Sequence, residues 1–77
     1  MNEFLAMLQQ LKPHVDFASG DDLVESGVLD SLDIFDIIEA IEATYGVEID
    51  GEDVDPDHFV SAEHMWRLVQ RYLEQTN

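Results

Sequence analysis

One serine, Ser31, stands among residue types that suit it to chemistry. It lies in the stretch Glu25-Ser-Gly-Val-Leu-Asp-Ser-Leu-Asp33, directly after Asp30, a residue type favoured at helix N-caps. A helical pattern follows at once, so Ser31 is predicted at the first helical position, near the positive end of the helix dipole. A hydroxyl there can support the helix start, or it can be a covalent handle for an anionic group. The local pattern leaves both interpretations open.

Three amphipathic segments and one short one are predicted to position that serine. Apolar residues recur at helical spacing over Asn2 to Lys12, over Ser31 to Tyr45, and over Ala62 to about Gln75. The acidic segment from Asp50 to Phe59 is predicted to be a loop with a short, irregular third helix. A long connection, Pro13 to Asp30, separates the first two helices. The pattern predicts an all-α fold, a small antiparallel four-helix bundle in which all 77 residues form a single domain.

The predicted core comes from the apolar face of each helix. In the second helix, the stripe predicted to be buried has five members: Leu32, Phe35, Ile38, Ile41 and Tyr45. Ile34 and Ile37 are placed at the margins of that stripe. Gly46 is predicted to end the helix in the left-handed conformation, and Ser61 is predicted to cap the last helix. Ser19-Gly-Asp-Asp22 is predicted to be a turn.

The charge distribution is the strongest global feature. Eighteen acidic residues face three basic ones, which gives a formal net charge of -15. No Lys or Arg lies between Pro13 and Trp66, whereas every acidic residue except Glu3 and Glu74 lies there. Nucleic acids and anionic lipids need basic contacts, so neither is an expected partner. Four acids recur every three residues and form an acidic stripe along the second helix: Asp33, Asp36, Glu39 and Glu42.

The sequence lacks the residues that most enzyme classes use. It has no cysteine, hence no thiolate nucleophile, disulfide or thiolate metal site. His14, His58 and His64 fall in different elements, and none has the context of a catalytic triad. No apolar run approaches about 18 residues, and the N-terminus does not resemble a secretory signal. We therefore expect a cytoplasmic protein that is not an enzyme and has no membrane span.

A calcium loop is suggested by the spacing of Asp53-Val-Asp-Pro-Asp57, which matches the opening of an EF-hand. The template then fails, because His58 stands at the turn glycine and His64 at the bidentate glutamate. No specific metal site is predicted. An alternative function stays open, an acidic helical interaction module or weak divalent-cation binder without a prosthetic group, in which Ser31 only supports the helix start.

The chain closely resembles the acyl carrier protein family. Three stretches carry the resemblance: Asp22-Leu-Val-Glu-Ser-Gly27, Leu29-Asp-Ser-Leu-Asp33 and, at the end of the second helix, Tyr45-Gly-Val-Glu-Ile49. The resemblance covers nearly the whole chain. It implies that Ser31 matches the serine that a phosphopantetheinyl transferase esterifies with 4′-phosphopantetheine from coenzyme A. Asp30 and Leu32 match the flanking motif positions.

The resemblance also implies a function as a monomeric shuttle that carries acyl or aminoacyl groups as thioesters. Asp33, Asp36 and Glu42 match the acidic face that the family presents to basic patches on partners, and Glu39 adds a charge there. The implied partners are the transferase, a loading ligase or synthase, and acceptor enzymes. The Asp50 to Phe59 segment looks more like D-alanyl or other aminoacyl carriers than fatty-acid carriers. Four bulky residues would leave little room for a long acyl chain if they filled the core: Phe35, Tyr45, Phe59 and Trp66.

Overall fold

The described part of the chain folds into three α-helices and two short 3₁₀ turns. The computed structural model describes residues 2–18 and 22–75. Helix α1 spans Asn2–Leu11, α2 spans Ser31–Tyr45 and α3 spans Ala62–Gln75, with the 3₁₀ turns at Gly51–Asp53 and Pro56–Phe59 between α2 and α3. No β-strand occurs in these two ranges. The all-α prediction is confirmed, but the single irregular third helix is replaced by two separate turns.

Local signals in the sequence account for both ends of α2. The Asp30 carboxylate accepts the backbone N–H of Asp33 at 2.9 Å, and the Asp33 carboxylate accepts that of Asp30 at 3.2 Å, forming a reciprocal capping box. At the other end Gly46 adopts a φ of 68° and donates its N–H to the Glu42 carbonyl oxygen at 3.0 Å. A residue without a Cβ takes that left-handed conformation at little cost. The predicted bounds of α2 and its end at Gly46 are confirmed.

The connection between α1 and α2 is held against the core rather than loosely attached. Val15, Phe17, Leu23 and Leu29 are buried along it. The N–H of Leu23 donates to the Val60 carbonyl oxygen, and that of Leu29 donates to the Leu23 carbonyl oxygen, both at 2.9 Å. These contacts fix the chain just before α2 begins. Three members of the turn predicted at 19–22, residues 19 to 21, lie outside the described residues.

The face of α2 that enters the core differs from the predicted one. Leu32 and Phe35 are 73% and 56% exposed, so the prediction that they are buried is wrong. The buried side chains are those of Ile34, Ile37, Ile38 and Ile41. These isoleucines are spaced i, i+3, i+4 and i+7, the spacing of a single helical face, which leaves Leu32 and Phe35 on another side.

The remaining core comes from both other helices, from the second 3₁₀ turn and from the segment directly after α2, where Val47 and Ile49 are buried. Its fully buried large side chains outside α2 are Phe4, Leu8, Phe59, Met65, Leu68 and Val69. Of the four bulky residues considered above, Phe59 is fully buried, Tyr45 and Trp66 are partly buried, and Phe35 is exposed. Phe35 therefore does not fill the core.

An aromatic cluster lies at the C-terminal end of α2. The ring centroids of Phe4 and Trp66 are 5.2 Å apart, and those of Tyr45 and Trp66 are 5.9 Å apart. Burial raises the pKa of the Tyr45 phenol. Because a helix rises about 1.5 Å per residue, the 15 residues of α2 separate this cluster from Ser31 by roughly 22 Å. None of the described helices is long and apolar enough to cross a membrane.

Candidate functional site

Ser31 is the first residue of α2, and it is exposed to solvent. The capping box places it directly after Asp30, while Leu29, one residue further back, is buried in the core. A buried anchor and a helix start therefore fix the backbone on both sides of the serine. The hydroxyl therefore lies at a helix start that is held in place, and the residue is accessible to solvent.

A pocket of about 160 Å³ adjoins this serine. Its walls come from the first turns of α2 and from the chain that leads into the second 3₁₀ turn. Its lining residues are Ser31, Ile34, Phe35, Val54, Asp55 and Pro56. The exposed large apolar side chains of Val28 and Leu32 lie close to Ser31 in the sequence. The surface at this end of α2 thus combines exposed apolar side chains with carboxylates.

Two acids of the predicted stripe are paired with a lysine from outside α2. Lys12 Nζ lies 2.7 Å from Asp33 Oδ1 and 3.0 Å from Asp36 Oδ2. Hydrogen bonds to Asp33 and Asp36 raise the pKa of Lys12. The Lys12 ammonium, followed by the backbone N–H of Asp30, lowers the pKa of Asp33. Sequence reasoning missed this contact, although Lys12 is the first of only three basic residues in the chain.

The other two acids of the stripe have different surroundings. Glu42 Oε2 accepts the backbone N–H of Ile49 at 2.9 Å, so this carboxylate holds the chain that returns from α2. Glu39 is exposed. The four acids therefore share one helix without being equivalent: Asp33 and Asp36 contact a cation, Glu42 supports the backbone, and Glu39 faces solvent.

The acidic segment after α2 is tied to α3. The Tyr72 hydroxyl donates a short hydrogen bond to Asp53, and it accepts the N–H of Asp50 at 2.9 Å. Arg71 Nη2 lies 3.4 Å from Asp53 Oδ1. The hydrogen bond from Tyr72 lowers the pKa of Asp53, while burial and then the Asp53 contact raise the pKa of Tyr72. This contact holds the segment in place without assembling a site.

The calcium-like spacing in this segment does not produce a cluster of ligands. The Asp50 and Asp55 carboxylates accept the N–H groups of Glu52 and Asp57 at 2.9 and 3.0 Å, so they cap the two 3₁₀ turns. Within residues 2–18 and 22–75, no three His, Cys, Asp or Glu side chains converge as metal ligands. His64 Nδ1 instead lies 2.7 Å from the hydroxyl of Ser61.

The family comparison agrees with this geometry. A family model described as a phosphopantetheine attachment site matches residues 3–58, a range that contains α1 from its second residue, the connecting segment, Ser31 and all of α2. The family attaches a 4′-phosphopantetheine prosthetic group. Comparison with curated proteins and with solved structures gives no match. Because the match covers more than half of the chain, this protein belongs to the phosphopantetheine attachment site family, as a carrier protein of the acyl carrier type.

Proposed function

We propose that this protein holds acyl or aminoacyl groups as thioesters on a 4′-phosphopantetheine arm at Ser31 and shuttles them between enzymes. The observation that carries the proposal is the exposed hydroxyl of Ser31 at the first position of α2, inside the matched range. All 77 residues would act as one carrier domain, monomeric and cytoplasmic, and the protein would present its cargo rather than catalyse a reaction.

The residues at the start of α2 fit a phosphopantetheine group. A phosphodiester on Ser31 Oγ would lie at a helix N-terminus, where backbone N–H groups favour negative charge. The Asp30 and Asp33 carboxylates oppose that charge, and the Lys12 ammonium, 2.7 Å from Asp33, offsets part of the opposition. When bound, the group supplies a terminal thiol that can hold a carboxylic acid as a thioester. Leu32, exposed beside Ser31, flanks the attachment position.

The surface around Ser31 favours partners that combine basic and apolar groups. The partners that we propose are a phosphopantetheinyl transferase, a ligase or synthase that loads the cargo, and the enzymes that accept it. The stripe of Asp33, Asp36, Glu39 and Glu42 would steer basic patches toward the serine, an effect that salt weakens. The exposed side chain of Leu32 would then be covered in the docked complex.

Loading with coenzyme A and a promiscuous transferase tests the proposal, with intact mass as the measurement. We expect the mass to rise by one phosphopantetheinyl group. Ser31→Ala should abolish the gain, because the accepting hydroxyl is removed. Ser26→Ala is the matched control, since Ser26 is also an exposed serine and lies in the turn just before α2, and it should load normally. An unchanged mass in the wild type, or a gain that survives in Ser31→Ala, would contradict the proposal.

A further inference from the structure

We propose that Lys12 weakens the docking of basic partners beside Ser31, because its ammonium is already paired with Asp33 and Asp36. The inference rests on the proposed carrier function and adds a residue that sets partner affinity from outside α2. It concerns the one described basic side chain that contacts the acidic stripe.

The backbone holds Lys12 firmly in position. Its N–H donates to the Leu8 carbonyl oxygen at 2.9 Å, and its own carbonyl oxygen accepts the N–H of Val15 at 3.1 Å. The Lys12 side chain is only 14% exposed, which is low for a lysine and reflects its position against α2. The ammonium therefore joins the chain at the end of α1 to α2 through a partly buried ion pair.

The two acids are affected to different degrees. Asp33 Oδ1 contacts Lys12, while Asp33 Oδ2 accepts the N–H of Asp30, so both of its oxygens are engaged. Asp36 Oδ2 lies 3.0 Å from Lys12 Nζ, and the Asp36 side chain remains 53% exposed. Glu39, one helical turn further along, is exposed and forms no ion pair with a cation of the described residues.

A partner's basic patch therefore meets a partly neutralised surface at the turn nearest Ser31. As it approaches, the patch is repelled by the Lys12 ammonium, or it must displace that ammonium from the two carboxylates. Either event weakens the electrostatic steering that an unpaired acidic stripe would give. Docking should consequently depend more on Glu39 than on Asp36, although Asp36 lies closer to the serine.

The first test compares Lys12→Gln with Arg67→Gln. Both remove one positive charge, but Arg67 is paired within α3, where its Nη2 lies 2.6 Å from Glu63 Oε1. Loading by the transferase should show a KM lower by roughly 3- to 10-fold in Lys12→Gln than in Arg67→Gln, with kcat unchanged. The difference should shrink as salt is added, and Lys12→Arg should behave like the wild type. Titration of the apo protein with the transferase should give the same order of Kd values.

The second test keeps Lys12 and so does not depend on the fold tolerating its loss. Glu39→Gln and Asp36→Asn each remove one negative charge from the stripe. The KM for loading should rise more in Glu39→Gln than in Asp36→Asn, because Asp36 is already engaged by Lys12. An equal or larger rise in Asp36→Asn, or equal KM values for Lys12→Gln and Arg67→Gln, would overturn the inference. A wild-type chain that is not loaded at all would instead contradict the carrier function itself.

Discussion

Helices α2 and α3 have nearly the same length, 15 and 14 residues, but they use their side chains differently. In α3 the apolar residues Met65, Leu68 and Val69 are fully buried, and its Arg67 pairs with Glu63 inside the helix. In α2 the core contacts come from four isoleucines, while Leu32 and Phe35 remain outside. Helix α3 thus mainly builds the core, whereas α2 builds the core and also presents a surface.

The acids of the two helices show the same contrast. Glu63 in α3 forms an ion pair with Arg67, one turn away in the same helix. In α2, Asp33 and Asp36 pair with Lys12, which directly follows α1. Glu42 accepts a backbone N–H from the chain beyond α2. The polar contacts of α2 therefore position it relative to the rest of the molecule. A helix that is held by its neighbours can keep Ser31 in a fixed place while leaving it accessible.

The largest expected effect distinguishes the buried leucine of α3 from the exposed one of α2. Leu68→Ala should lower the free energy of unfolding by about 2–5 kcal/mol, because it leaves a cavity in the core. Leu32→Ala should change it by no more than about 0.5 kcal/mol, because its side chain is 73% exposed. Urea unfolding followed by circular dichroism measures both. Equal losses of stability in the two variants would contradict the contrast between a buried leucine in α3 and an exposed leucine in α2.

In the loading reaction, Leu32→Ala should have a larger effect than Leu68→Ala, the reverse of their order in stability. Leu32→Ala should raise the KM for the transferase, since the apolar surface beside Ser31 is reduced. Leu68→Ala, assayed well below its melting temperature, should load with wild-type KM. This pair of measurements separates stability from docking.

A smaller effect is expected from the residues that begin the two helices. The Ser61 hydroxyl accepts the N–H of His64 at 3.1 Å, which makes it the counterpart in α3 of Asp30 in α2 and confirms its predicted capping contact. Asp30→Ala and Ser61→Ala should each cost about 1 kcal/mol of stability. Only Asp30→Ala should also slow loading, because it loosens the turn that holds Ser31. Asp30→Asn retains a capping oxygen and should recover most of both losses; slow loading in Ser61→Ala would argue against a local effect.

How well a feature could be predicted from the sequence depended on how far apart along the chain its interacting residues lie. The start of α2 at Ser31, its end at Gly46 and the cap at Ser61 follow from signals within a few residues, and the structure confirms them. The buried face of α2 was predicted incorrectly, because apolar residues occur on more than one side of the helix. Helical periodicity cannot choose between two apolar faces without knowing where the neighbouring helices lie.

Contacts between distant residues were not predictable from the pattern. Lys12 and Asp36 are 24 positions apart, and Tyr72 and Asp53 are 19 apart. A single lysine just after α1 gives no sign of its partners until the connecting segment folds back. Ser31, the proposed attachment point, was predicted from its local motif, whereas the contact of Lys12 with the neighbouring acids became visible only in the structure.

The smallest expected effect concerns the pH dependence of Asp33. The Lys12 ammonium and then the N–H of Asp30 lower the pKa of Asp33 below its ordinary 3.8. A carboxyl whose folded-state pKa is lowered adds stability above its unfolded value, and that stability is lost as the pH falls through the folded value. Asp33→Asn should therefore melt slightly below the wild type near neutral pH, and the difference should shrink below about pH 4.

Glu63→Gln is the matched control for that titration, because it also removes one negative charge and breaks one ion pair. Both side chains of the Glu63–Arg67 pair are mostly exposed, so water already screens the contact and the melting temperature should change little. Relief of the chain's -15 net charge is common to both variants, so the comparison between them isolates the contact of Asp33 with Lys12 and Asp30. A loss of stability in Asp33→Asn that stayed constant from neutral to acid pH would place its cause outside ionisation. A loss that disappears in acid would show that the charged contact of Lys12 with Asp33, unlike the exposed Glu63–Arg67 pair within α3, holds the start of α2.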